Sequence, residues 1–119
     1  SDSDLKVAKA FNMLPADEVA NTNRTAITNA TVRSVFLIDP EKKIRMMLTY
    51  PMTTGRNFDE ILRVLASIQL TSKTKVATPV NWKKGDEVII VPAISDEEAK
   101  KMFDSFKSVK PYLRFTKLK

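Results

Sequence analysis

Leu48-Thr49-Tyr50-Pro51-Met52-Thr53-Thr54-Gly55-Arg56-Asn57-Phe58-Asp59-Glu60-Ile61-Leu62-Arg63-Val64 holds the end of one element, a break, and the start of another. The β-rich run 44–50 stops at Pro51, which has no amide to give to a strand ladder. Pro51 to Gly55 is connector. Asn57 followed three positions later by Glu60 is a helix-start pattern, in which a capping side chain and a returning glutamate satisfy amides that lack helical partners. Phe58, Ile61, Leu62, Leu65 and Ile68 or Gln69 then recur at helical spacing. Strand, connector and amphipathic helix follow one another without an intervening domain boundary.

Upstream, residues 32–38 form a second β-rich run, and Asp39-Pro40-Glu41-Lys42-Lys43 is turn chemistry, so the two runs are expected to make a β-hairpin. Ser3 or Asp4 is expected to cap a short helix reaching about Asn12, and Pro15 ends it. Residues 16–31 are polar, without clear periodicity, and read as a long loop. Downstream, Thr71-Ser72-Lys73-Thr74-Lys75 changes the texture of the chain and marks a boundary between two compact units, 1–70 and 71–119. The second unit reads as a loop from Pro79 to Asp86 holding the lone tryptophan Trp82, then a strand over 87–91. A helix opened by the Ser95-x-x-Glu98 capping box and reaching about Phe106 comes next, followed by an extended stretch over 112–116.

The composition removes whole classes of chemistry. Among 119 residues there is no cysteine and no histidine. Disulfides, thiol catalysis, Cys/His zinc sites and imidazole bases are therefore outside what this chain can do alone. Apolar residues make up 43% and charged residues 29%, which is globular rather than disordered. The net charge of +6 is concentrated in residues 41–84, where nine basic side chains face three acidic ones. That charge permits attraction to anions without demonstrating it, and the lysine pairs are scattered and aromatics are only 8%, so a nucleic-acid platform is not expected. No apolar run is long enough to span a bilayer, and Ser1-Asp2-Ser3-Asp4 lacks a signal-like core, so a cytoplasmic protein is expected.

Other motifs have plain readings. Asp96-Glu97-Glu98 occupies the first turn of an expected helix, where carboxylates complement the dipole. Gly55 and Gly85 are the only glycines, so no phosphate-cradling loop exists, and no cofactor is expected. Two arginines stand apart. Arg33 lies within a β-rich run, where a guanidinium is costly unless an anion accompanies it; the alternative is a place on the strand's solvent face. Arg56 sits between the Pro/Gly connector and the helix cap.

The stretch from Val35 to Ile44, the block from Leu48 to Val64, and further blocks resemble the one-cysteine peroxiredoxins of the peroxiredoxin 6 type. Those further blocks are Ser67-Ile68-Gln69-Leu70-Thr71, Val76-Ala77-Thr78-Pro79-Val80-Asn81-Trp82, Ser95-Asp96-Glu97-Glu98-Ala99-Lys100-Lys101 and Lys110-Pro111-Tyr112-Leu113-Arg114-Phe115-Thr116. They run in family order through nearly the whole chain. The departure is that the family's reactive cysteine, in a Pro-Val-Cys-Thr type motif, and its nearby histidine are absent, so the resemblance is to the C-terminal half.

The resemblance implies an α/β fold: the C-terminal part of a thioredoxin-like peroxiredoxin domain over 1–70, and a small α+β C-terminal domain over 71–119. It implies a complete protein that reduces hydrogen peroxide and organic hydroperoxides through a cysteine sulfenic acid, restored by an external thiol reductant. It matches Arg33 to the arginine beside the thiolate and peroxide, and Arg56 to a second, supporting arginine. It also implies a homodimer paired through the strand of residues 44–50, with Met46 and Leu48 at the interface; the alternative place for those two side chains is packing under a helix. The chain alone is then expected to be inactive. The rival expectation is a cysteine-free dimerisation or binding module descended from that family. Phospholipid hydrolysis, credited to some relatives, requires a histidine that this chain lacks.

Overall fold

The computed structural model describes residues 2–15, 23, 25 and 30–118. Most of the polar loop expected over 16–31 lies outside the described residues. By internal contacts the chain divides into two compact units, Ser1–Asn57 and Phe58–Lys119.

In the first unit, α1 spans Lys6–Ala10, β1 spans Arg33–Ile38 and β2 spans Ile44–Tyr50. Helix α1 is shorter than the expected element, and Asp2 joins the expected Asp4 at its start. Leu5 precedes it in the left-handed region, and the Asp2 carboxylate accepts from the amides of Val7 (3.0 Å) and Ala8 (2.7 Å). The Asp4 carboxylate accepts from the Lys6 amide at 3.4 Å, so two carboxylates share the first turn and complement the helix dipole. Beyond the helix, the Val32 amide donates to the Met13 carbonyl at 2.8 Å, and the Phe11 and Phe36 rings meet at 4.8 Å, tilted by 56°. These contacts fix one face of the hairpin.

Strands β1 and β2 pair antiparallel, with Arg33 opposite Tyr50, Val35 opposite Leu48 and Leu37 opposite Met46. The turn forms where Asp39-Pro40-Glu41-Lys42-Lys43 places it. The Asp39 amide donates to the Lys43 carbonyl, the Lys43 amide donates to Asp39 Oδ1 at 2.9 Å, and Lys42 takes positive φ. An aspartate that binds its own turn's backbone fixes the register of both strands.

In the second unit, α2 spans Phe58–Thr71, β3 Val76–Ala77, β4 Val88–Ile90, α3 Asp96–Met102, β5 Lys107–Lys110 and β6 Leu113–Thr116. The four strands form one antiparallel sheet in the order β3-β4-β6-β5. Val76, Trp82, Val88, Ile90, Ile94, Ala99 and Phe103 form its core, with Ala66, Leu70, Val91, Phe106 and Leu118 packed against it. Helix α2 begins at Phe58, as the Asn57-x-x-Glu60 spacing predicts. Its apolar stripe is used unevenly: Ala66 and Leu70 meet the core, whereas Phe58 and Leu62, on the same i, i+4 row, are exposed. The small sheet covers only the last turns of the helix.

Helix α3 has the expected capping box, with the Glu98 amide donating to Ser95 Oγ at 3.2 Å and the Ser95 amide to Glu98 Oε2 at 3.0 Å. It stops at Met102 rather than near Phe106, because Phe103 turns to extended backbone and buries its ring in the core. Strand β5 was not expected from the sequence. All four of its residues are exposed, so it carries no apolar alternation and is held by its ladder to β6.

Candidate functional site

Arg33 opens β1, and the connector that follows β2 comes back beneath it. Pro51 ends β2, the Thr54 amide donates to the Pro51 carbonyl at 2.9 Å, and this turn presents the Met52 carbonyl to Arg33. Arg33 Nε donates to that oxygen at 2.6 Å. A guanidinium held through Nε keeps its two terminal nitrogens in a fixed plane, and among the described residues neither has a hydrogen-bond or ion-pair partner. That arrangement is a preset fork for an anion.

Arg56 is half-buried four residues beyond Met52, at the other end of the same connector. It too makes no ion pair with a described residue. Both arginines predicted from the sequence thus belong to one connector in one unit: Arg33 is tied to it by a hydrogen bond, and Arg56 is part of it. Neither guanidinium is in an ion pair among the described residues, which leaves each able to attract an anion. Among the described residues no group of three acidic side chains could hold a metal ion.

Met46 and Leu48 are half-buried on β2, facing the same way as Tyr50. The exposed apolar side chains of that strand are Ile44 and Met47. Among the described residues β2 has β1 as its one strand neighbour, so its outer edge carries unpaired backbone groups. No helix among the described residues is long and apolar enough to cross a membrane.

Asp39 and Glu41 act as turn residues. Asp39 lies below the usual carboxylate range because the Lys43 amide, and then Arg45, bind its charged form. Glu41 pairs with Lys43 at 2.7 Å. The acidic run at α3 does more than cap. Asp96 Oδ1 accepts from Arg114 Nη1 at 2.6 Å, while Arg114 Nη2 donates to the carbonyls of Ile94 (2.6 Å) and Val91 (3.2 Å). Arg114 is 2% exposed, and among the described residues its Nε has no partner. Sequence reasoning singled out Arg33 and Arg56 and missed this third arginine. It occupies an inward position on β6, between the less buried Leu113 and Phe115.

Residues 67–105 match the family model for the C-terminal domain of 1-Cys peroxiredoxin. The chain is 52% identical over 113 residues to Peroxiredoxin PRX1, mitochondrial, of Saccharomyces cerevisiae, covering 95% of this chain and 42% of that protein. It is 48% identical over 122 residues to Peroxiredoxin-6 of Gallus gallus, covering 98% and 53%. The solved structure of yeast mitochondrial 1-Cys peroxiredoxin superposes with a TM-score of 0.82 at 50% identity, over 96% of this chain and 53% of that one. The chain therefore spans about half the length of the curated relatives it matches. A thioredoxin-like α/β fold follows from these matches, and the open guanidinium fork at Arg33 falls within the aligned region. The chain belongs to the one-cysteine peroxiredoxin family.

Proposed function

We propose that the chain forms part of a thiol-dependent peroxidase whose reactive cysteine is not among these 119 residues. The observation that carries the reading is Arg33, fixed through Nε on the Met52 carbonyl with its terminal nitrogens open. In the reaction a thiolate sulfur attacks one peroxide oxygen, the O–O bond breaks, and the departing oxygen takes a proton while the sulfur becomes a sulfenic acid. Two molecules of an external thiol then return the sulfenic acid to thiol, releasing a disulfide and water. Arg33 stabilises the thiolate and the negative charge that develops on the departing oxygen, and Arg56 adds positive potential from the connector. The yeast relative is described with glutathione and thioredoxin systems, and we assign this chain a reductant of the same small-thiol or dithiol type.

The division into a thioredoxin-like part over 1–70 and a C-terminal domain over 71–119 belongs to the same reading. So do a cytoplasmic location and a homodimer joined through the β2 edge, with Met46 and Leu48 at the interface. A free edge bearing apolar side chains supports the dimer, since such an edge aggregates unless something covers it. It equally supports the rival reading, a cysteine-free dimerisation module.

The test compares the isolated chain with the complete protein containing it. The isolated chain consumes no peroxide with thiol present. In the complete protein, Arg33→Gln lowers the rate constant for peroxide by about 10²–10³, the cost of removing one preset donor to developing charge. An unchanged rate in Arg33→Gln, or turnover by the isolated chain, overturns the assignment. A peroxide-silent complete protein that still sediments as a dimer favours the module.

A further inference from the structure

The second unit contains a cleft of about 400 Å³ between the end of α2, the Trp82 loop and Leu118. That volume falls within the ~300–1,000 Å³ of small-molecule sites. Its walls are apolar: Leu70, Val88 and Leu118, with the Trp82 ring. Trp82 is 4% exposed and its Nε1 already donates to the Asp86 carbonyl at 3.4 Å, so the indole serves as wall rather than as a hydrogen-bond donor to a guest. Three charged side chains reach the cleft: Lys73, Lys84 and Asp86. The Asp86 carboxylate is engaged in its own turn, accepting from the Lys83 amide at 2.8 Å. Lys73 and Lys84 are exposed, and neither ammonium is in an ion pair among the described residues.

The geometry points to a binding site for a small amphiphilic organic monoanion, its apolar body in the Trp82 cleft and its anionic head between Lys73 and Lys84. A bare inorganic anion could meet the two ammoniums but would leave the apolar walls uncovered, so a guest with an apolar body uses more of the cleft. The two unpaired ammoniums against one committed carboxylate disfavour a cation. The site lies wholly among residues 66–118 and requires neither Arg33 nor a cysteine, so it stands apart from peroxide chemistry.

Trp82, the one tryptophan, reports on its own site. The experiment titrates the chain with decanoate below its micellar range and follows Trp82 emission, with decan-1-ol and decyltrimethylammonium in parallel. Expected are a saturable change with decanoate, binding about fivefold to tenfold weaker for Lys73→Gln/Lys84→Gln, and a comparable weakening for the alcohol. Both substitutions are at exposed positions, and an unchanged urea midpoint shows that the variant keeps its core. No saturable change with decanoate, equal binding of the decyl cation, or undiminished binding in the double variant overturns the proposal. So does a chain whose Trp82 emission is that of a fully solvated indole, because the cleft is then not formed.

Discussion

The two units bury their apolar residues differently. In residues 58–119, Val88 and Ile90 are wholly inaccessible, and five further apolar side chains close around them in a four-stranded sheet backed by helices. In residues 1–57, Ala8 and Leu14 are the buried apolar residues among those described, and β1 and β2 are at best half-buried. A two-stranded hairpin is marginal in water by itself, whereas a sheet with a helix on one face can close a core. The second unit thus has the means to be stable from its own residues, and the hairpin unit offers edges and faces for others to cover. The arginine fork sits in the open unit.

The largest effect expected is in the closed core. Ile90→Ala removes a fully buried side chain and should cost about 4 kcal/mol, against about 1 kcal/mol for Val35→Ala on half-buried β1, read from urea unfolding monitored by Trp82 and by hairpin amide exchange. The reverse ranking would break the comparison. Next is Arg114→Leu, expected to cost about 2–3 kcal/mol because the carbonyls of Val91 and Ile94 lose their donor inside the protein; a loss within error would mean that water reaches them.

Smaller effects sharpen the picture at helix and turn. Ser95→Ala should cost about 1 kcal/mol through loss of the α3 cap. Glu98 is held below its usual range, first by the Ser95 amide and then by the Ser95 hydroxyl. A depressed folded value means that its stabilisation is present above the unfolded glutamate pKa and lost as pH falls through the folded one. Thermal midpoints taken from neutral into acid pH should therefore fall less steeply in Ser95→Ala. The smallest effect is at Asp39, lowered first by the Lys43 amide, which follows the same sign: hairpin amide protection should weaken on acidification, and Asp39→Asn should remove that dependence.

Legibility from sequence followed the range of the interactions. The hairpin, the start of α2 and the Ser95–Glu98 box rest on residues two to five apart, and each formed where expected. Helix α1 keeps part of its expected cap, since Asp4 accepts from the Lys6 amide at 3.4 Å, while the shorter bonds from the Val7 and Ala8 amides go to Asp2. Strand β5 escaped notice because its side chains stay in water and leave no alternating pattern. For the candidate site, Arg33 and Arg56 were visible as charges out of place, and the family motif assigned them roles. The Met52 carbonyl that aims Arg33 is backbone, and backbone acceptors carry no residue-type signal.

Arg114 shows where the two levels part. On β6 the alternation of Leu113, Arg114, Phe115 and Thr116 is plain, but alternation distinguishes two faces without saying which one is closed. The sheet order β3-β4-β6-β5 and the docking of α3 closed the face bearing Arg114 and Thr116, and they supplied Asp96, Ile94 and Val91 as partners 18 to 23 positions away. Turn chemistry, capping and helical periodicity determined the local elements, because their energies act within a few residues of chain. Long-range pairing decided which polar groups were buried, what aims the guanidinium fork, and where the Trp82 cleft opens, because those outcomes depend on which distant segments exclude water from one another.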